Sequence, residues 1–174
     1  MNVLKSAGSI IAKPLSIIYR RSVADGYLPA HFRCARVVPV FKAGDTDCVK
    51  NYRPISVVSI FAQILERIIE RKLYAYAETN IFPACQFGFR KKHNTTHAAI
   101  SLVSHILSER ELGKFCGVLF IDLSNAFPSV DHAILLQKLQ HYGIRGHLLQ
   151  WLGAYLLDRT MTIDLGVVTL DLLA

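Results

Sequence analysis

The sequence of 174 residues predicts an α+β fold in which amphipathic helices accompany a small antiparallel sheet. Apolar residues recur at helical spacing in several segments, and β-branched runs separate those segments. These elements alternate irregularly, without the regular strand and helix order of a parallel α/β protein. The length is that of a single domain, and 52% hydrophobic residues allow a substantial core, so a disordered chain is excluded.

The first half of the sequence predicts a helix, a strand and a second helix. The first helix is expected over Lys5 to Val23, where Pro14 would kink or split it. Cys34 to Phe41 is rich in β-branched residues and predicts a strand, which Pro39 restricts to an edge or bulged position. From Ser59 to Thr79 apolar residues recur every three or four positions, which predicts the most regular helix of the chain.

The second half predicts further helices and strands, separated by turn residues and helix caps. They are a helix capped by Asn94 that ends near Gly113, an apolar strand over Phe115 to Leu123, a helix capped by Ser129 that ends at Gly143, a helix over His147 to Leu157, and a hairpin of Met161 to Leu165 with Val167 to Leu170.

No apolar run approaches the roughly 20 residues that cross a bilayer, and no signal peptide is recognised, so we expect an intracellular protein. The four cysteines are widely spaced and lack the Cys-x-x-Cys pattern. This spacing argues against a disulfide framework and against a zinc site.

The formal net charge of +7 is unevenly distributed. Residues 1–92 carry a net charge of +9 and residues 93–174 a net charge of −2. This distribution suits a protein that binds a polyanion with its first half and cations with its second, although many small domains are basic for solubility alone.

Asp122 is the first candidate for chemistry, because it lies near the end of the predicted strand over Phe115 to Leu123. A carboxylate held there could bind a hard divalent cation. The alternative is that it accepts hydrogen bonds from the backbone of the next turn.

Two basic segments are candidates for binding phosphates. Lys42 and Arg53 flank the turn after the first strand, and Arg90–Lys92 follows Phe87 and Phe89. Interleaved basic and aromatic residues are typical of surfaces that hold phosphates and stack bases. The alternatives are a solvated basic loop in the first segment and core aromatics beside a surface charge run in the second.

Two histidine patterns carry less weight. His93 and His97 have the spacing of zinc ligands on one helix face, but no third ligand is near in sequence. Asp131 and His132 are adjacent in sequence, which does not supply the spatial convergence of a catalytic triad.

In this order and at these spacings, three motifs resemble those of the reverse transcriptases of non-LTR (LINE-like) retrotransposons. Residues 35–45 with 51–56 resemble the first fingers motif, and Gln86–Arg90 resembles the second. Residues 120–127, followed by 130–132 and the segment 135–143, resemble palm motif A and its helix. The resemblance implies a fingers-like region over 1–92 and the start of a palm over 93–174.

The resemblance also implies roles for the candidate residues. Asp122 corresponds to a catalytic carboxylate that holds two Mg²⁺ ions, with Mn²⁺ as an alternative, and the carbonyl of Leu123 is a further metal ligand. Lys42, Arg53 and Arg90 correspond to positions that bind the incoming nucleotide, and Phe127 to the gate that excludes a ribose 2′-hydroxyl. Arg90, Lys91 and Lys92 are expected to contact nucleic acid. The implied partners are an RNA template, a DNA primer and deoxynucleoside triphosphates, and the implied location is the nucleus.

The sequence departs from the family pattern in two respects. Pro128 stands where most relatives have an aspartate after Ala-Phe. The glycine-rich motif B and the Tyr-x-Asp-Asp motif C are expected downstream of Ala174. Because one carboxylate does not hold two Mg²⁺ ions, we expect that this chain alone does not polymerise nucleotides. The alternative function is nucleic-acid binding without catalysis.

Overall fold

The computed structural model describes residues 6–123, 126–157, 159–164 and 169–173. The helices, numbered in chain order, are α1 (Gly8–Ala24), α2 (Ala30–Arg33), α3 (Ile60–Asn80), α4 (Thr95–Glu111), α5 (His132–His141) and α6 (Gly146–Leu156), and a 3₁₀ turn covers Val49–Asn51. The strands are β1 (Cys34–Phe41), β2 (Tyr52–Val58), β3 (Thr160–Asp164) and β4 (Thr169–Leu173).

The four strands form one sheet in the order β2-β1-β3-β4. β1 is antiparallel to β2 and β3 is antiparallel to β4, but β1 and β3 run parallel. The predicted α+β class is therefore confirmed, whereas the prediction of a purely antiparallel sheet is wrong. The central pairing joins strands that are more than one hundred residues apart in sequence, and local patterns carry no information about its direction.

β1 lies between β2 and β3 over residues 35–37, but at Pro39 the described sheet pairs it with β2 alone, so the predicted edge position holds locally and explains why Pro39 is tolerated. Pro39 lies opposite Pro54 of β2. The amide of Lys42 donates to the Asn51 carbonyl, so these two residues form a hydrogen-bonded pair. Because such pairs alternate along an antiparallel ladder, the even-numbered residues of β1 bond to β2 and Pro39 does not. The missing N–H of Pro39 would point toward β3, which pairs only with residues 34–37. β2 itself was not predicted, because Pro54 interrupts its pattern.

The helix predictions agree with the structure more closely. α3 and α6 lie within a few residues of the predicted ranges, and α1 continues through Pro14 without splitting. Asn94 caps α4 as predicted, since its side chain accepts a hydrogen bond from the amide of His97 at 2.9 Å. α5 is capped by Asp131 instead of Ser129, and Asp131 Oδ1 accepts from the amide of Ile134 at 3.0 Å.

The predicted strand over Phe115 to Leu123 is wrong. Residues 114–123 form neither helix nor strand, and the side chains of residues 115–123 are exposed. A strand requires a hydrogen-bonded neighbour, and the four strands of the described sheet pair with one another. The predicted hairpin at the end of the sequence is confirmed by β3 and β4, although its turn lies outside the described residues.

The chain divides into two compact units, one of residues 1–70 and 131–174 and one of residues 71–130. The core of the first unit is built around Trp151, whose side chain is 1% exposed. Its indole Nε1 donates to Ser22 Oγ at 3.0 Å, and this hydroxyl donates to the carbonyl of Tyr27. α1 and α6 are thereby joined through a buried and satisfied polar contact.

Other contacts complete this core. Tyr155 stacks on Trp151 with the ring centroids 5.3 Å apart, and its hydroxyl donates to Glu66 Oε1 at 2.9 Å. The hydroxyl of Tyr19 donates to the carbonyl of Phe61 at 2.8 Å. Helices α1, α3 and α6 therefore share one core, and Ala35 and Val37 of β1 are buried as well.

Candidate nucleotide and nucleic-acid site

Lys42 and Arg53 lie on the same face of the β1 and β2 hairpin. Arg53 is directly opposite Val40, and Lys42 follows Val40 by two residues, which returns it to the face that Val40 occupies. Both basic side chains are exposed. An extended anion above this face could meet both cations.

The turn that joins the two strands is held by Asp45 and Asn51. Asn51 Nδ2 donates to the carbonyl of Asp45 at 2.8 Å, and Asp45 Oδ1 accepts from the amide of Asp47 at 3.0 Å. Gly44 has φ of +97°, and a Cβ there would come within 2.7 Å of Asn51 Nδ2. The local geometry thus requires glycine at this position, and the turn sets the separation of Lys42 and Arg53.

In the second unit, the loop after α3 is tied back to the helix by Arg90. Its guanidinium donates to Glu78 Oε1 at 2.6 Å and to Glu78 Oε2 at 3.3 Å. The same group donates to the carbonyls of Pro83 and Gln86 at 3.0 and 3.2 Å, and it lies 5.8 Å from the centroid of the Phe82 ring. These contacts of Arg90 thus stabilise the loop and its attachment to α3.

The ion pair changes the acidity of both partners. The hydrogen bond from Arg90 lowers the pKa of Glu78, and a hydrogen bond from Tyr74 lowers it further. The same bond to Glu78 raises the pKa of Arg90. Glu78 and Tyr74 were not identified from the sequence, because both lie within the helical pattern of α3 and nothing local marks them as partners of the loop.

The two lysines after Arg90 lie at the surface of this loop. The amide of Lys91 donates to the Tyr74 hydroxyl at 2.7 Å, and Lys91 Nζ lies 4.6 Å from the centroid of the Tyr74 ring. Lys92 is exposed, with φ of +64°. The loop therefore presents two positive charges that its ion pair with Glu78 does not neutralise.

Phe89 and Phe127 meet at the surface of the second unit. Their ring centroids are 6.4 Å apart, with an interplanar angle of 85°. Phe89 is 89% exposed and Phe127 is 78% exposed. Phe87 differs, because it contacts the ring of His93 at 5.9 Å and is partly buried. Of the two aromatic residues predicted beside the basic run, only Phe89 is presented to solvent.

Asp122 is exposed, and its Oδ1 accepts a hydrogen bond from the amide of Leu123 at 2.9 Å. This is the backbone contact that the sequence left open as the alternative to metal binding. The remaining lone pairs are open to solvent, so the contact leaves room for a cation.

The residues present do not fit a site for two divalent cations. Within the described ranges, no group of three or more His, Cys, Asp or Glu side chains could hold a metal ion. Asp122 offers one carboxylate and Leu123 one carbonyl, whereas two Mg²⁺ ions require several anionic oxygens. His93 and His97 have their ring centroids 6.4 Å apart, edge to face, without a third ligand in that part of the structure.

The sequence matches the family model of reverse transcriptase (RNA-dependent DNA polymerase) over residues 40–169. This range covers well over half of the chain and contains every candidate residue described above. Enzymes of this family generally use divalent metals. Among the described helices, none combines the length and the apolar composition that a membrane crossing requires.

Curated relatives of similar sequence are also named as polymerases or Pol polyproteins of transposable elements. The chain is 31% identical, over 86% of its length, to "Probable RNA-directed DNA polymerase from transposon BS" of Drosophila melanogaster. It is 31% identical, over 81%, to "Retrovirus-related Pol polyprotein from type-1 retrotransposable element R2" of Popillia japonica. It is 32% identical, over 71%, to "RNA-directed DNA polymerase from mobile element jockey" of Drosophila melanogaster. The matches cover 17%, 19% and 14% of these relatives, so the chain spans less than a fifth of their length.

These matches confirm the resemblance drawn from the motifs. The relatives are polymerases of non-LTR retrotransposons, as the three motifs and their order predicted. The roles of individual residues stay predictions, as does the boundary between a fingers-like and a palm region at residues 92 and 93.

Proposed function

The chain belongs to the reverse transcriptase (RNA-dependent DNA polymerase) family, and on that premise we propose that it forms the fingers and the first part of the palm of an RNA-directed DNA polymerase. The complete enzyme would copy an RNA template onto a DNA primer with deoxynucleoside triphosphates. The match over residues 40–169, which contains all the candidate residues, is the observation that carries this proposal.

Lys42 and Arg53 are proposed to bind the triphosphate of the incoming nucleotide. Their shared face on the β1 and β2 hairpin supports this role, because two exposed cations on one rigid element can engage neighbouring phosphates. Phe127 is proposed to exclude a ribose 2′-hydroxyl by steric contact. Arg90 keeps its proposed place near the nucleotide, although its guanidinium also holds the loop to Glu78.

Asp122 and the carbonyl of Leu123 are proposed to contribute ligands to a Mg²⁺ site. In the complete enzyme, such a site would supply Lewis-acid chemistry for nucleotidyl transfer. Because the described residues supply one carboxylate to this site, the other ligands must come from elsewhere. We expect no primer extension by the purified chain alone. Extension that depends on Mg²⁺ and is abolished by Asp122→Ala would contradict this expectation.

Nucleotide binding tests the proposal directly on this chain. We expect the purified protein to bind dTTP, measured by isothermal titration calorimetry. Lys42→Gln and Arg53→Gln should each weaken binding about tenfold, since a hydrogen bond to a charged group contributes about 1.5–3 kcal/mol. Lys13→Gln, which removes an exposed charge from α1, is the matched control and should leave the affinity unchanged. Equal effects of all three substitutions would contradict the assigned roles.

A second candidate function is nucleic-acid binding without catalysis. The exposed basic loop at Lys91 and Lys92 favours it, and so does the lack of a group of three or more metal-binding side chains in the described part of the chain. The two candidates differ in the dTTP measurement, because a protein that only binds nucleic acid needs no triphosphate site at Lys42 and Arg53.

Location in the nucleus follows from the proposed polymerase function and is tested by imaging the tagged protein.

A further inference from the structure

We propose that Phe89 stacks against a base of single-stranded nucleic acid and that the ring of Phe127 supports it from one side. This inference deepens the proposed function and rests on the part of it that assigns nucleic-acid binding to this chain. Phe89 has no role among the polymerase assignments made above.

The backbone at Phe89 is the first observation. Its φ of +60° lies in the left-handed region, which bulky residues other than glycine rarely adopt. Such a conformation persists only where the surrounding structure imposes it, and it is concentrated at functional positions. A loop with a purely structural role would be expected to carry glycine or asparagine here.

The loop around Phe89 is held from several sides. On the C-terminal side, Arg90 bonds to Glu78 and to the carbonyls of Pro83 and Gln86. On the N-terminal side, Gln86 Nε2 donates to the carbonyl of Gly88 at 3.0 Å. These contacts fix the backbone on both sides of an aromatic residue that is itself 89% exposed. The loop therefore presents Phe89 to solvent and does not bury it.

The geometry of the ring pair leaves room for a ligand. In an edge-to-face arrangement with an interplanar angle of 85°, the edge of one ring meets the face of the other. Because Phe89 is 89% exposed, this contact leaves most of its ring open. The contact with Phe127 restricts the motion of the Phe89 ring without covering it. A planar nucleobase can stack on such a supported ring, and stacking contributes about 1–3 kcal/mol per base in single-strand binding proteins.

The charge around the ring indicates the class of ligand. Lys91 and Lys92 follow Phe89 within three residues, and both are exposed. An exposed aromatic ring beside exposed cations matches the combination of bases and phosphates along a single strand. In a double helix the base faces are already stacked on one another, so a single strand fits this site better.

Oligonucleotides with and without bases test the stacking. The probes are fluorescein-labelled oligomers of about 12 nucleotides, within the range that one single-strand-binding module covers. The first is oligothymidylate, the second is the same chain made of abasic sites, and the third is oligouridylate. Affinities of the full 174-residue chain are measured by fluorescence anisotropy at several salt concentrations. We expect the thymidine probe to bind more tightly than the abasic probe.

Phe89→Leu should weaken binding of the thymidine probe about tenfold and leave the abasic probe unchanged, because only the stacking partner is lost. Phe115→Leu is the matched control, since Phe115 is also a fully exposed phenylalanine of the second unit, and it should change neither affinity. Lys91→Gln with Lys92→Gln should weaken both probes and reduce the salt slope by about 0.7 for each lost phosphate contact. Circular dichroism checks that each variant is folded.

Each outcome bears on the inference. Equal affinity of the wild-type chain for the thymidine and abasic probes, or equal effects of Phe89→Leu and Phe115→Leu, would overturn it. Failure of the wild-type chain to bind any probe would overturn it as well. A larger Phe89 effect on oligouridylate than on oligothymidylate supports stacking with an RNA strand, and the reverse supports stacking with a DNA strand. If the wild-type chain does not bind dTTP but still binds the thymidine probe more tightly than the abasic probe, the proposed polymerase function is contradicted and the stacking inference is not.

Discussion

The guanidinium of Arg90 donates to both carboxylate oxygens of Glu78, at 2.6 Å from Oε1 and 3.3 Å from Oε2. The two residues are twelve positions apart, and their contact joins the basic loop to the end of α3. Bidentate pairs of this kind fix orientation as well as distance. Arg90 therefore determines where Phe89, Lys91 and Lys92 lie, in addition to any contact of its own.

Glu78→Gln should remove part of the dependence of stability on pH. Because the pKa of Glu78 is lowered in the folded state, the unfolded chain binds the proton more readily there. The contribution is complete above the ordinary pKa of about 4.3 and is lost as the pH falls through the lower folded value. We expect the wild-type chain to have a higher Tm than Glu78→Gln near neutral pH, with a difference that shrinks in acid.

A double-mutant cycle identifies the cause of this effect. In an Arg90→Ala background, Glu78→Gln should have little pH-dependent effect on Tm, since the group that lowers the glutamate pKa most is absent. An unchanged pH-dependent difference in that background would show that Arg90 is not the cause.

Ser22→Ala should destabilise the first unit by about 1–3 kcal/mol. The substitution leaves the buried indole N–H of Trp151 without its acceptor, and a buried unsatisfied donor carries about that cost. Urea unfolding followed by fluorescence of the single tryptophan measures it. Ser16→Ala, an exposed position of the same helix, is the control and should change the free energy of unfolding by less than about 0.5 kcal/mol. Similar effects at both positions would contradict the role of Ser22.

The hydroxyl of Tyr155 should ionise at a higher pH than that of an ordinary tyrosine. Burial raises its pKa, and the carboxylate of Glu66 raises it further, while the guanidinium of Arg159 opposes the shift. A raised folded pKa means that the contribution of Tyr155 to stability is present below about pH 10 and is lost as the pH rises through the folded value. Tyrosinate absorbance of the wild-type chain and of Tyr155→Phe isolates this step. Glu66→Gln should move it to lower pH, and an unmoved step would exclude Glu66 as a cause.

Gly44→Ala should destabilise the turn between β1 and β2 more than Gly113→Ala destabilises the end of α4. Both glycines have positive φ, so both substitutions introduce backbone strain of about 1 kcal/mol. Only at Gly44 would the new Cβ also collide with the side chain of Asn51, because nothing lies within 4 Å at Gly113. Thermal unfolding compares the two variants. Gly44→Ala should also weaken dTTP binding, since this turn separates Lys42 from Arg53. Equal losses of stability would contradict the steric account.

Part of the fold was open to prediction because it depends on local patterns. The apolar spacing of α3 requires one buried face, and that pattern alone predicted the helix within a residue or two of its observed ends. Asn94 was recognised as a cap because the capping interaction reaches only three residues along the chain. The family was recognised because the order and spacing of three motifs resemble those of its members, and the match over residues 40–169 confirms it. The roles of the candidate residues stay predictions.

By itself, then, the sequence determined the five longer helices, the α+β class and the reverse transcriptase family, whereas the short helix α2 was not predicted. The tertiary structure decided the parallel pairing of β1 with β3, the exclusion of residues 114–123 from the described sheet, and the partnership of Arg90 with Glu78. Each of these depends on which distant group is available as a partner, whereas periodicity and capping report only the preferences of neighbouring residues. A strand pattern predicts extended backbone, but its hydrogen-bonding neighbour is set by the packing of the whole chain.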